Sequence, residues 1–560
     1  LTAAISIEQA RAAFTAVHAH GSIRAAVRAT GISYGAMHKR YSRAVELALL
    51  DNDRPAIDVE PVVRGRVHAL PRSEWALPAP GEVARYIFTC AQNNTHLFMP
   101  AWESLKALAE HYDARICVST FTYDKASYGK MSVKRGKEDV QGELWYAPEI
   151  EPFILDESVV IAPGLIWCGE MNILPTAVRP LSGFESYTGR KSGIFPHVKF
   201  AMESIAAGKH EGTKFNYTTG TITQRNYIAK TAGLKAEFHH GYGALLVEVD
   251  SDGNWFCRQL NSDSDGAIYD LTLQAKEGLV TDGHRLEAIT WGDIHVGTVP
   301  AEVEEMLWGG DYHGGFRSMI DALSPRYQFM HDVLDFRARN HHDRGNPHKA
   351  FEKHVAGKDD VGDELDGVTS FLTCTSYRDW CQTVVVDSNH DNAFMRWLRE
   401  GDYKTDPRNA VLFLEAQARV YRAIAEHDKS FHLVAWAVRD CARGDDMLRR
   451  RAEDMTFLRA DESFIVCPDA GGGIECGMHG DHGPNGARAS LRGFAKMGRK
   501  SNTGHGHSAG IEDGAYRSGI TGDLEQGYNI GPSSWSRSHV LTYRNGKRTV
   551  ITCYQGKWRA

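Results

Sequence analysis

Five short motifs rich in histidine, aspartate, asparagine and glycine constrain this chain more than any other feature, because no folding requirement explains their polar composition. In order they are WGDIHVG with Asp293 and His295, YQFMHDVLDF with Asp332 and Asp335, VVVDSNHDN with Asn389, His390 and Asp391, IECGMHGDHG with His479, and NTGHGHSAG with His505 and His507. Each sets carboxylate, amide or imidazole groups just after a hydrophobic, strand-like run or inside a Gly-rich turn. An α/β sheet presents its chemistry in this way, at the carboxyl ends of its strands. The expected fold class is therefore α/β with some α+β character. At 560 residues the chain exceeds one ordinary core, so about two to four domains are expected.

The donor set carries its own chemistry. Two divalent cations held about 3.5–4 Å apart need one carboxylate touching both, with hard oxygen and borderline nitrogen ligands around each. Neutral imidazoles and an amide oxygen complete such shells without cancelling the positive charge, which then attracts phosphate and acidifies water. An imidazole outside the shells can protonate a leaving oxygen. The ligand mix suits manganese, iron or zinc.

The ordered set DxH, DxxD, NHD, H and GHxH resembles the calcineurin-like metallophosphoesterase superfamily over residues 286–560, with blocks separated by 39, 57, 90 and 26 residues. The resemblance implies a β-sandwich flanked by helices. It implies that Asp293, His295 and His507 bind one divalent ion, that Asp332 bridges, and that Asn389, His479 and His505 bind a second. His390 would be the acid facing the phosphate, oriented by Asp391. His482 competes with His479 as a ligand. His331 and Ser388 stand where the pattern has glycine, which bears on loop geometry more than on ligation.

The remaining sequence divides by composition. Residues 1–50 read as three short helices with a Thr30–Ser33 turn, resembling a helix-turn-helix unit. Its third helix would then turn Lys39, Arg40 and Arg43 toward DNA; the alternative is an oligomerisation or packing module. Residues 51–82 carry five prolines among charged residues and read as a linker. Residues 83–285 read as an α/β accessory domain: ARYIFTCAQ, PAWESLKALAEHY and ARICVSTFTY suggest a parallel strand–helix–strand unit, and GALLVEVDSDGNWFCRQL a hairpin turning at Asp252-Gly253. The closing SSWSRSHVLTYRNGKRTVITCYQGKWR reads as a hairpin in the second sheet of a sandwich. Arg337, Arg339, His341 and His342, just past the second motif, could clamp a phosphodiester or simply pack within the domain.

The net charge of -7 provides no global attraction to nucleic acid, so any contact must be local. No apolar run approaches the ~20 residues of a membrane helix, the N-terminus lacks a signal-peptide layout, and the ten cysteines show no CxxC pairing. The whole layout resembles the pre-early DNA-transfer nucleases of T5-like bacteriophages. That likeness implies a deoxyribonuclease with two divalent ions, manganese foremost, acting on DNA in the cytoplasm of the infected bacterial host. Homo-oligomerisation stays open. Two other readings stand beside it: a phosphatase or cyclic-nucleotide phosphodiesterase, and a DNA-binding or assembly protein with a relict metal site.

Overall fold

The computed structural model describes residues 5–20, 22–46, 73–123, 144–208, 210–309, 317–340, 343, 345–442, 446–460 and 462–560. It divides into two compact units, Leu1–Val67 and His68–Ala560. The first holds the helices Ile7–His20, Ile23–Thr30 and Tyr34–Glu46. The first helix begins on a reciprocal cap: the Gln9 amide donates to Ser6 Oγ and the Ser6 amide to Gln9 Oε1, each at 3.2 Å. The second is capped by Ser22 and closed by Gly31 in the left-handed region, φ 70°. Ala13, Val17, Ala26 and Met37 form its small core. On the third helix Lys39 and Arg43 are exposed and Arg40 is half-buried. Most of the expected linker, residues 51–72, lies outside the described residues.

Among the described residues, the second unit contains sheets of eleven, six, four and three strands. The expected strand–helix–strand unit is present: Val83–Gln92 and Ala114–Phe121 pair in parallel around the helix Met99–Tyr112. Gly243–Asp250 and Trp255–Asn261 form the expected antiparallel hairpin. Side chains alternate across this four-stranded sheet with the period of two that a pleated strand imposes. Ile87 and Leu246 pack on the helix side with Trp102, Leu105 and Leu108. Phe88, Leu245 and Val247 face the core shared with the eleven-stranded sheet.

Residue 285 does not interrupt the eleven-stranded sheet. That sheet draws strands from residues 73–218 and from residues 465–517, joined where Met202–Ile205 pairs with Gly510–Glu512. The four-stranded sheet is likewise tied to the C-terminal strand: the Gln259 amide donates to Thr549 Oγ1 at 2.8 Å, and Asn261 Nδ2 to Arg548 O at 2.6 Å. A buried ion cluster fastens its other face, with Arg258 donating to Glu248 at 2.7 Å and to Asp270 at 2.7 and 2.9 Å.

The six-stranded sheet runs Thr456–Phe457, Gln382–Val385, Tyr327–Met330, Ala288–Thr290, Ser538–Thr542, Arg548–Thr552, the first four parallel. One face, with Ile289, Met330, Val385 and Leu541, packs under helices. The other, with Ala288, Phe329, Val384 and Val386, meets Val466, Ile474 and Cys476 of the eleven-stranded sheet. The C-terminal hairpin departs from expectation. Its strand Ser538–Thr542 pairs antiparallel with Ala288–Thr290, so it extends the sheet that carries Asp293 instead of building the facing one. The reason is its near-uninterrupted burial, which suits a strand covered on both faces. All ten cysteines are free. Among the described residues, no helix is long and apolar enough to cross a membrane.

Candidate metal centre

Three parallel strands of the six-stranded sheet end side by side and deliver the first three motifs. The ladder between the first two continues past the strands: Ile294 N donates to His331 O at 2.9 Å and His295 N to Asp332 O at 2.8 Å. Loops bearing Asp293 and Asp332 are therefore fixed to each other before any side chain is considered. Behind Asp293, the Gly292 amide donates to His539 Nδ1 at 3.0 Å. The Thr521 amide donates to Asp293 O at 2.7 Å. The last two motifs join through Gly504 N, which donates to His479 O at 2.7 Å.

The backbone of this region is unusual. His295, Asp332, His505 and His507 all adopt positive φ, between 48° and 63°. L-residues avoid that region, and such outliers concentrate where surrounding structure over-determines a functional geometry. Glycine is needed nearby for a different reason. A Cβ on Gly504 would stand 2.2 Å from Asp293 Oδ1, and one on Gly506 would stand 2.6 Å from the Arg517 guanidinium.

The side chains converge in two groups. Ligand atoms of Asp293, His295, Asp332 and His507 lie within 4.8 Å of one another and all four residues are buried. His507 Nε2 is 3.0 Å from Asp293 Oδ2 and 3.2 Å from His295 Nε2. Beside them, Asn389 Oδ1 sits 3.1 Å from both His479 Nε2 and His505 Nδ1. Asp332 Oδ2 lies between the groups, 3.7 Å from His295 Nε2 and 3.3 Å from His479 Nε2.

Such a donor set fits a cation better than it fits itself. Both Asp293 oxygens and Asp332 Oδ1 are buried without a well-aligned hydrogen bond, a costly state for an ionised carboxylate unless something positive shares the space. Burial alone would raise the Asp332 carboxyl, yet His479 and His390 hold it well below the usual range. Burial likewise opposes the charge on His479, but Asp332 pushes it up to about 9. Protons here occupy places that a cation can take.

His390 lies beside these groups. Its ring centroid is 4.8 Å from that of His295, and its Nδ1 is 3.0 Å from Asp335 O and 3.1 Å from Asp335 Oδ1. Burial opposes its charge, and Asp332 with Asp335 overrides it, raising the imidazole to about 10. Asp335 also accepts from His295 at 2.9 Å and pairs with Arg337. Asp391 is the residue expected to orient His390, and in the structure the ring's Nδ1 faces Asp335. Asp391 itself is buried on the helix Asn389–Glu400. Burial, then Asp387 and Asp332, raise its carboxyl well above the usual range.

The two departures from the glycine pattern have local explanations. Ser388 is extended and caps the helix, its Oγ accepting from the Asp391 amide at 3.2 Å. His331 is fully buried, with Nδ1 3.4 Å from His479 Nδ1 and the rings 5.5 Å apart. His482 is exposed and paired with Asp481. Arg339 is held by Asp406 through two contacts of 2.6 Å, so its fork is filled from within the chain. Arg337 pairs with Asp335 and Gln526. His341 and His342 lie outside the described residues. Sequence reasoning passed over Arg517, whose Nε donates to Ser508 O at 2.7 Å behind the His505–His507 turn. An arginine ten residues past a GHGH turn gives no local signal.

Comparison with known proteins finds a relative in protein A1 of Escherichia phage T5, 40% identical over 485 residues, covering 85% of this chain and 83% of that one. No family model matches the chain. No solved structure matches it either.

Proposed function

Because the chain belongs to the same family as protein A1 of Escherichia phage T5, we propose that it is a bacteriophage phosphodiesterase that uses two divalent cations, manganese foremost, to hydrolyse DNA. The observation that carries this reading is the Asp332 carboxylate standing between a buried group, Asp293, His295 and His507, and a more open one, Asn389, His479 and His505. Asp293, His295 and His507 would hold one ion with Asp332, and Asn389, His479 and His505 the other. When bound, such ions supply Lewis-acid charge to a phosphoryl oxygen and acidify water.

The chain's own residues do the rest. His390 stands next to, and outside, the donor groups; as an imidazolium it would keep its Nδ1 proton on Asp335 and give its Nε2 proton to the leaving oxygen. Asp335 also fixes the His295 ring through Nδ1, which leaves Nε2 for ligation. The eleven- and six-stranded sheets packed face to face under helices suit the calcineurin-like metallophosphoesterase fold. The helical unit 7–46, with Lys39, Arg40 and Arg43, would capture DNA phosphates on an otherwise acidic protein. On this reading the protein works in the cytoplasm of the infected bacterium.

The test is manganese-dependent degradation of plasmid DNA, run beside phosphate release from p-nitrophenyl phosphate. We expect DNA breakdown, and a fall of at least ~100-fold in rate for both Asp332→Asn and His390→Ala. Undiminished DNA cleavage by either variant refutes the assigned centre. Turnover of the monoester with intact plasmid points to a phosphatase instead.

A further inference from the structure

An aromatic pair flanks the centre at His507. The Trp535 ring meets the His507 ring edge-on with centroids 4.2 Å apart, and Tyr528 packs on Trp535 at 5.6 Å and 65°. Tyr528 is 60% exposed although it is a large aromatic side chain. The tyrosine thus stands at the rim of the metal-ligand cluster with a ring open to solvent.

The loop that presents it is fastened on several sides. Gln526 Nε2 donates to Thr298 Oγ1 at 3.1 Å, and its Oε1 accepts from Arg337, so the loop is tied to the segments following the first two motif strands. Asn529 closes it internally, accepting from the Gln526 amide at 3.0 Å and donating to Leu524 O at 2.7 Å. Beyond it, Ala207 and Ser533 exchange backbone hydrogen bonds of 3.0 and 2.9 Å. A flat ring held this firmly has little entropy to lose on contact. Exposed aromatics beside a phosphate-processing centre match the stacking platforms of single-strand binders, which accept any base because every base has a π-face. A paired base inside a duplex offers no such face.

We propose that Tyr528, backed by Trp535, stacks on an unpaired nucleobase next to the scissile phosphate, so that the centre prefers single-stranded or frayed DNA over intact duplex. The proposal rests on the reading of the centre as a DNA phosphodiesterase, and its test keeps the two apart. Full-length protein with manganese is given three probes: a single-stranded oligonucleotide carrying 2-aminopurine, the same strand in a duplex, and a strand of abasic units. The wild type is expected to cleave the first fastest and to quench its fluorescence on binding. Tyr528→Ala should raise KM for that strand about tenfold or more with kcat little changed, lose the quenching, and match the wild type on the abasic strand. Tyr528→Phe should behave as the wild type, because stacking needs the ring and not the hydroxyl. Equal KM for Tyr528→Ala and wild type, or wild-type preference for the duplex, overturns the stacking role while leaving the nuclease reading intact. Failure of the wild type to cleave any strand removes the nuclease reading itself.

Discussion

A buried imidazole behind His479 decides how well one half of the centre can be organised. His331 occupies the position before Asp332, and its Nδ1 faces the Nδ1 of His479 while the other His479 nitrogen faces Asn389 and Asp332. A partner at one ring nitrogen fixes the tautomer and aim of the other, and such supporting groups typically contribute 10–100-fold to metal affinity. His331→Ala is therefore expected to weaken manganese binding by roughly 10–100-fold, read by titration calorimetry, with the fold retained by circular dichroism. At this scale the sequence was informative about donors and poor about their supports. Asp293, His295, Asp332, Asn389, His479 and His507 stand out because their chemistry has no use in a core. Asp335 was visible in DxxD, yet its pairing with His390 depends on the left-handed turn at Asp332, which a side-chain pattern does not encode.

Secondary elements carry a second kind of constraint, in the ion cluster that ties the small sheet Ile268–Thr281 to the hairpin beneath it. Arg258, Glu248 and Asp270 are each buried to within a few percent. Burial works against charge on Glu248, yet the Arg258 and Arg85 guanidiniums hold its carboxyl below the ordinary value. Removing one member strands the others, a loss typically worth about 3–5 kcal/mol. Arg258→Ala should lower unfolding stability by about that amount in denaturant titration, while Arg85→Ala, half-exposed, should cost much less. Local periodicity revealed the helix Met99–Tyr112, both strands beside it and the hairpin at Asp252-Gly253. It could not reveal that residues 202–205 pair with 510–512, because partners separated by about three hundred residues leave no local trace.

At the scale of the whole molecule, stability should depend on pH through histidines buried as neutral rings. His197 accepts from the Lys199 amide and faces Leu174 O, and His240 lies between Tyr227 and Thr223 O. Burial lowers His197 to about 4, and His240 and His539 to about 3, from an ordinary value of 6.5. The unfolded chain thus binds more protons than the folded one below pH 6.5, so stability is full above that point and falls as pH drops toward 4. Each ring contributes up to about 1.4 kcal/mol per pH unit in that window. Thermal melts of the manganese-loaded protein at pH 7, 6, 5 and 4 should show a steepening loss; a flat profile would mean that these rings are not neutral in the fold. The sheet that places Asp293 also borrows a neighbour from far along the chain, Ser538–Thr542, and His539 within it holds the Gly292 amide. The loop that bears Asp293 therefore gains this support only after synthesis has passed residue 542. On the proposed reading, a nascent copy that stops short of that strand has Asp293 without its neighbour, and the centre forms only once the strand has been made.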